Sequence, residues 1–209
     1  MGRLLLCYAA PSARVWYYRA MVRAIVFDCF GVFYVDPVFA YMQDPSTPSS
    51  KAAALHDLDK QAARGFITKR DFVAQAAQLL QCSVVEIEER FFKGHVRNQQ
   101  LLDFAQQARK TYKIALLSNI GSDMMDGFFT PKERAQLFDV VVLSGEVHMA
   151  KPDPEIFELT CNRLGAQPHE AVMIDDGQGH IDAAKRLGMQ GIHYTSFNQC
   201  VSELKSILA

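Results

Sequence analysis

Five short apolar runs leave this chain the fewest options: AIVFD from Ala24 to Asp28, KIALLS from Lys113 to Ser118, DVVVLS from Asp139 to Ser144, AVMID from Ala171 to Asp175 and GIHY from Gly191 to Tyr194. Runs this short, rich in β-branched residues and lacking polar alternation, read as strands buried on both faces. Helical patterns lie between them, at Leu101 to Lys110, Pro154 to Leu164 and Gly179 to Leu187, the last punctuated by Gly188. Strand and helix alternate, so the economical architecture is α/β, a parallel sheet with helices on both faces.

The interval from Pro37 to Asn98 breaks the alternation. It holds no strand-like run but several amphipathic stretches, at Lys51 to Arg64, Thr68 to Leu80 and Ser83 to His95, with Thr68 and Asp71 spaced as a helix-starting cap. Asp44-Pro-Ser-Thr-Pro-Ser-Ser reads as a turn-rich connection into it. Inserted directly after the first strand, such helices would sit over its carboxyl end, where ligands bind in parallel sheets, so residues 37–98 are a candidate helical cap. Phe66, Phe72, Phe91 and Phe92 are expected to form the insertion's own core. The core domain is then residues 21–36 and 99–209, and residues 1–20 form an extension with no part in the chemistry.

With 209 residues and a net charge of −1, the chain carries no positive excess that would draw it to nucleic acid or an anionic membrane surface. No apolar run is long enough for a membrane span, and a small molecule becomes the expected partner. The five cysteines (Cys7, Cys29, Cys82, Cys161, Cys200) include no C-x-x-C pair, which argues against a disulfide framework or zinc site and for a reducing cytoplasm.

Side by side, the strands bring their polar ends together: Asp28 after the first, Ser118 and Asn119 after the second, Asp175 and Asp176 after the fourth, with Lys151 from the loop after the third. Buried acids at that density repel one another unless a cation compensates them, and oxygen donors alone suit magnesium. A divalent ion held by Asp28, Asp176 and a backbone carbonyl would keep positions open for water and a phosphate oxygen.

FDCFGV (Phe27 to Val32), Ser118-Asn119, Lys151-Pro152 with Asp153-Pro154, and Asp175-Asp176 followed by IDAAKRLGM resemble, in order and spacing, the four motifs of the haloacid dehalogenase-like hydrolase superfamily. The resemblance runs from Met21 to nearly the end of the chain. It implies a Rossmann-like sheet in the order 5-4-1-2-3 with a small helical cap, and a magnesium-dependent phosphatase acting on a small-molecule phosphate ester as a monomer or homodimer. Asp28 would be the nucleophile, attacking phosphorus to form an aspartyl-phosphate. Lys151 would neutralise the nucleophile and the phosphoryl oxygens. Ser118, the amide of Asn119 and turn amides beyond Asp28, around Phe30, would bind the same oxygens, while Asp28, Asp175, Asp176 and the Phe30 carbonyl would hold Mg2+.

One position departs from the family's pattern. Its phosphatases usually carry a second aspartate two residues after the nucleophile, as general acid and base, and this chain has Phe30. Such a group is typically worth ~10² to 10⁴ in rate. His180, His56 and His95 are possible substitutes, although His180 reads first as a residue that ties loops together, and Cys29 reads as packing. True 2-haloacid dehalogenases also place an aromatic residue at this position and expel a halide that needs no proton, which makes a metal-free dehalogenase the alternative. A phosphate-binding regulatory protein with little turnover is a third reading.

Overall fold

A computed structural model describes residues 21–93 and 95–208. The expected extension at residues 1–20, with Cys7, lies outside them. In chain order the elements are β1 (Ala24–Phe27), α1 (Pro37–Gln43), α2 (Ser49–Ala63), α3 (Lys69–Leu80), α4 (Val84–Phe92), α5 (Gln99–Ala108), β2 (Lys113–Ser118), α6 (Pro131–Leu137), β3 (Val140–Leu143), α7 (Ser144–Val147), α8 (Pro154–Leu164), β4 (Ala171–Asp175), α9 (Gln178–Arg186), β5 (Gln190–His193) and α10 (Phe197–Leu208). The sheet order is β3-β2-β1-β4-β5, with every pairing parallel, as expected.

Alternate residues of each strand feed two separate cores, because successive side chains in a strand point to opposite faces. Ile25, Phe27, Ile114, Leu116, Val172 and Ile174 pack on one face, with Leu101 of α5 and Leu204 of α10. Ala24, Val26, Ala115, Leu117 and Met173 pack on the other, with Ile156 and Phe157 of α8 and Ile181 of α9. The first core continues into the helical insertion through Leu55, Phe72, Ile87, Phe91 and Phe92. Phe66 does not join it: it follows the end of α2 and is 70% exposed, so the expectation of a fourth core phenylalanine is corrected.

Helix boundaries follow their caps. The Thr68 hydroxyl accepts from the Asp71 amide and Asp71 accepts in return from the Thr68 amide, as expected from their spacing, and Ser83 and Glu86 repeat the arrangement at α4. The turn-rich stretch after Gln43 is preceded by a helix the periodicity did not reveal, α1, which Asp36 starts by accepting from the Val38 and Phe39 amides. The third strand is shorter than its run suggests, because Ser144 leaves the sheet to open α7. Among the described residues no helix is long and apolar enough to cross a membrane, and Cys29, Cys82, Cys161 and Cys200 are free thiols.

The carboxyl end of α2 is fastened to the loops beyond β2 and β3. The Ser144 hydroxyl accepts from the Ile120 amide at 2.9 Å and donates to the Ala63 carbonyl. Gly65, at φ +72°, comes so near the Gly145 carbonyl that a Cβ there would stand 2.5 Å from the oxygen. Arg64 adds an ion pair to Asp153 at 3.1 Å.

Candidate active site

The amide of Asp28 donates to the Ile174 carbonyl at 2.9 Å, so the residue is held in the β1–β4 ladder while its side chain leaves the sheet edge. The chain then folds back tightly, with the Phe33 and Tyr34 amides donating to the Cys29 carbonyl and Gly31 donating to the Tyr34 carbonyl. Asp28 Oδ1 accepts from the Cys29 amide at 2.7 Å and stands 2.8 Å from Lys151 Nζ. Lys151 Nζ reaches Asp175 Oδ2 at 2.6 Å, and its ammonium is wholly buried. Asp175 Oδ1 accepts from the Gly177 amide at 2.8 Å and from His180 Nδ1–H at 2.9 Å. Asp28, Asp175 and Lys151, from the ends of two strands and a distant loop, thus share one buried network.

Its charges do not balance locally. Burial, then the negative charge of Asp175, pushes the Asp28 carboxyl well above its usual range, against the pull of Lys151. Burial alone would also raise Asp175, yet Lys151 and the His180 hydrogen bond outweigh it and bring that carboxyl down to about 2. Lys151 follows the same logic: burial works against its charge, and Asp175 with Asp28 more than restores it. The neighbouring Cys29 thiol is pushed up by burial and by Asp28, which makes it a packing residue and a poor nucleophile.

Asp176 follows Asp175 out of the sheet and is exposed. His193 Nε2–H donates to its carbonyl at 2.8 Å, while its carboxylate lies against Gly31. A Cβ on Gly31 would stand 2.0 Å from Asp176 Oδ2, and Gly31 also holds φ +75°, a conformation costly for any other residue. Gly31→Ala is therefore expected to cost about 1 to 2 kcal/mol from the backbone alone and to turn Asp176 away. We expect at least a roughly tenfold loss of catalytic efficiency, the order of a displaced ligand or ligand-supporting group. Thermal melting and steady-state rates would check this, and a variant as fast as wild type would show that the Asp176 position is unimportant.

At the end of β2, Ser118 is fully buried, and among the described residues its hydroxyl finds no oxygen or nitrogen partner, only the Cys29 thiol lying against it. Asn119 makes a side-chain contact that the sequence did not reveal. Its side chain brackets the Lys151 peptide, donating to the Lys151 carbonyl and accepting from its amide, both at 2.9 Å. The side-chain amide therefore serves to fix the lysine, and only the backbone remains to bind an anion. The expected nest after Asp28 is likewise narrowed, since the Cys29 and Gly31 amides are used within the loop.

A sequence profile of the haloacid dehalogenase-like hydrolases matches residues 22–188. The chain belongs to the haloacid dehalogenase-like hydrolase family. Among curated relatives, the mouse acyl-CoA dehydrogenase family member 10 is 36% identical over 104 residues, covering 50% of this chain but only 10% of that protein. A phosphoserine phosphatase of Thermus thermophilus is 30% identical over 112 residues, covering 51% of this chain and 45% of that enzyme. The (S)-2-haloacid dehalogenase 4A of Burkholderia cepacia is 23% identical over 190 residues and 82% of each chain. The chain thus spans less than half of the first two relatives. Among solved structures, a Bacteroides thetaiotaomicron HAD family enzyme in complex with magnesium and inorganic phosphate superposes with a TM-score of 0.69 at 23% identity, over 84% of this chain and 96% of that one.

Within this HAD-family site, Phe30 packs edge-on against Phe128, with ring centroids 4.7 Å apart. Of the suggested substitutes for the missing acid, His180 is tied to Asp175, His56 is exposed on α2, and His95 stacks on the ring of Phe128. Asp59, which no sequence motif marks, lines the cavity between the insertion and the sheet edge together with Phe30 and Asn119. A signal for it existed. Leu55, Leu58, Asp59, Ala62 and Ala63 follow the spacing of an inward-facing helical stripe, and Asp59 is its one charged member.

Proposed function

We propose that this hydrolase is a magnesium-dependent phosphatase of a small phosphorylated metabolite that works through an aspartyl-phosphate on Asp28. The observation that carries this reading is a charge count: three carboxylates, Asp28, Asp175 and Asp176, meet a single ammonium, Lys151. That deficit would repel a phosphate dianion unless a divalent cation joins it. The donors suit a hard ion, because Asp28, Asp176 and the Phe30 carbonyl are all oxygen ligands, with Asp175 beside them already engaged by Lys151, His180 and Gly177. Bound there, magnesium would neutralise phosphoryl charge and favour the ionised form of Asp28.

The chain's own residues supply the remainder. Asp28 Oδ attacks phosphorus in line, the bond to the leaving oxygen breaks, and water later displaces phosphate from Asp28. Lys151, held at 2.8 Å, turns the carboxylate toward the phosphoryl group and compensates its oxygens. The buried Ser118 hydroxyl, which has only the weakly accepting Cys29 sulfur beside it among the described residues, gains a strong acceptor when such an oxygen arrives, which favours an anionic ligand at this point. The helices α1 to α4 act as a cap that encloses the leaving group. Free thiols fit a reducing cytoplasm.

Phe30 favours a second reading, a metal-free 2-haloacid dehalogenase, since its fixed aromatic ring offers no proton and a departing halide requires none. The paired acids weigh against it. A panel of sugar phosphates, nucleotides and an activated aryl phosphate, assayed with magnesium and with chelator, separates the two. We expect hydrolysis with magnesium and a fall of at least about 10²-fold in chelator, the scale of losing one electrostatic stabiliser. Halide release from 2-haloacids in chelator, with no phosphate released from any ester, would install the second reading.

A further inference from the structure

The geometry points to Asp59 of α2 as the proton donor to the leaving-group oxygen, filling from the cap side the role that Phe30 leaves vacant beside the nucleophile. This assignment rests on the phosphatase reading. α2 is fastened to the loops beyond β2 and β3 by Ser144, Gly65 and Arg64, and the Ala62 carbonyl would stand 3.2 Å from a Cβ on Gly121. Residues three and four apart share a helix face, so Asp59 projects with Ala62 and Ala63 toward these loops. There it lines a narrow cavity, with about 40 Å³ open to water, that Phe30, Asn119 and Ile120 border from the core. That is room for roughly two or three waters, so a reacting oxygen entering it meets Asp59 directly or through one water.

Among the described residues, the only other ionisable group lining the cavity is Asp36. It is committed to the first two free amides of α1, whereas the Asp59 carboxyl makes no hydrogen bond or ion pair among the described residues. Apart from Asn119 and Gly121, the remaining walls are aromatic or aliphatic, including Phe72, Phe91, Phe92 and Met124. On the elements packed against α2, α3 presents no ionisable residue to this space, and Arg64 beside α7 is paired with Asp153. Burial, then the charge of Asp36, pushes the Asp59 carboxyl up to about 7, so a large fraction of it keeps its proton near neutral pH, the range suited to a general acid.

Protons and bonds balance over the two half-reactions. Asp28 forms its bond to phosphorus as the ester P–O bond breaks, and the leaving oxygen takes the Asp59 proton, giving an alcohol and an Asp59 carboxylate. In the second half, Asp59 accepts a proton from water as the water oxygen bonds to phosphorus and the Asp28–phosphorus link breaks. Alcohol and inorganic phosphate depart and Asp59 is protonated again.

The test is Asp59→Asn, assayed with magnesium on an alkyl phosphate and on p-nitrophenyl phosphate. We expect kcat/KM for the alkyl ester to fall by about 10² to 10³, while the activated aryl ester, whose leaving group needs no proton, stays within severalfold. The decline of alkyl-ester kcat/KM above about pH 7 in wild type should disappear in the variant. Melting curves give a second readout. A carboxyl raised in the folded state costs stability as pH rises from its unfolded pKa of about 4 to about 7. The advantage of Asp59→Asn should therefore grow across that window and level off above it. Equal losses on both esters, an unchanged alkyl rate, or an advantage independent of pH would each overturn the assignment and leave the phosphatase reading standing. Wild-type protein inactive on both esters would remove the phosphatase reading, and this assignment with it.

Discussion

Asp28→Asn is expected to lower phosphatase turnover by at least about 10⁴-fold, the scale seen when a covalent nucleophile is removed. A neutral amide oxygen is a poor nucleophile, so the asparagine side chain would keep the shape of the site while removing the attacking pair. The same change should leave the fold as stable as before or more so. Burial and Asp175 already push the Asp28 carboxyl upward, and a neutral residue lifts that repulsion while Lys151 keeps its 2.6 Å contact with Asp175. Phosphate release with magnesium, trapping of the acyl-phosphate and a melting curve would together check this. A variant retaining a tenth of wild-type turnover would take the nucleophile away from Asp28.

Lys151→Met should act in the opposite sense on stability. The methionine fills a similar volume but leaves Asp28 and Asp175 buried without the ammonium that stood 2.8 Å and 2.6 Å from them. Removing one partner of a buried pair costs about 3 to 5 kcal/mol, equivalent in a chain of this size to a melting temperature lower by roughly 6 to 20 °C. Activity should vanish as well, since the substrate would face uncompensated carboxylates. A variant melting within about 2 °C of wild type would mean that the two acids are neutral in the folded protein and that Lys151 compensates nothing.

Much of this architecture is legible in the sequence, and the reason is physical. Strands such as AIVF and AVMI are buried on both faces, so their composition alone marks them, and parallel pairing brings their last residues to one edge. Asp28 and Asp175 could be grouped on that basis, with Lys151 joining them from the loop beyond the third strand, and the three meet. What the sequence concealed depends on contacts between distant segments. Asn119 offers the same amide to a phosphate or to a peptide, and only the loop carrying Lys151 decides in favour of the peptide. The Pro37 helix was hidden because its start, Asp36-Pro37, carries the same residues as a turn. The strand ending at Leu143 and the helix turn beginning at Ser144 share one apolar run, divided by the hydrogen bonds that Ser144 makes to Ile120 and Ala63. Asp59 reads as one more surface acid until its neighbours at three- and four-residue spacing are seen to be buried.

The closeness of Gly31 to Asp176 ties together two stretches of chain that are remote in sequence. Where one position has no side-chain carbon, the other has just enough room for its carboxylate. Neither site can drift independently during divergence: a relative that gains bulk after its nucleophile must withdraw or shorten the acid beyond its fourth strand, and paired change at these two sites is the trace this packing should leave among homologues.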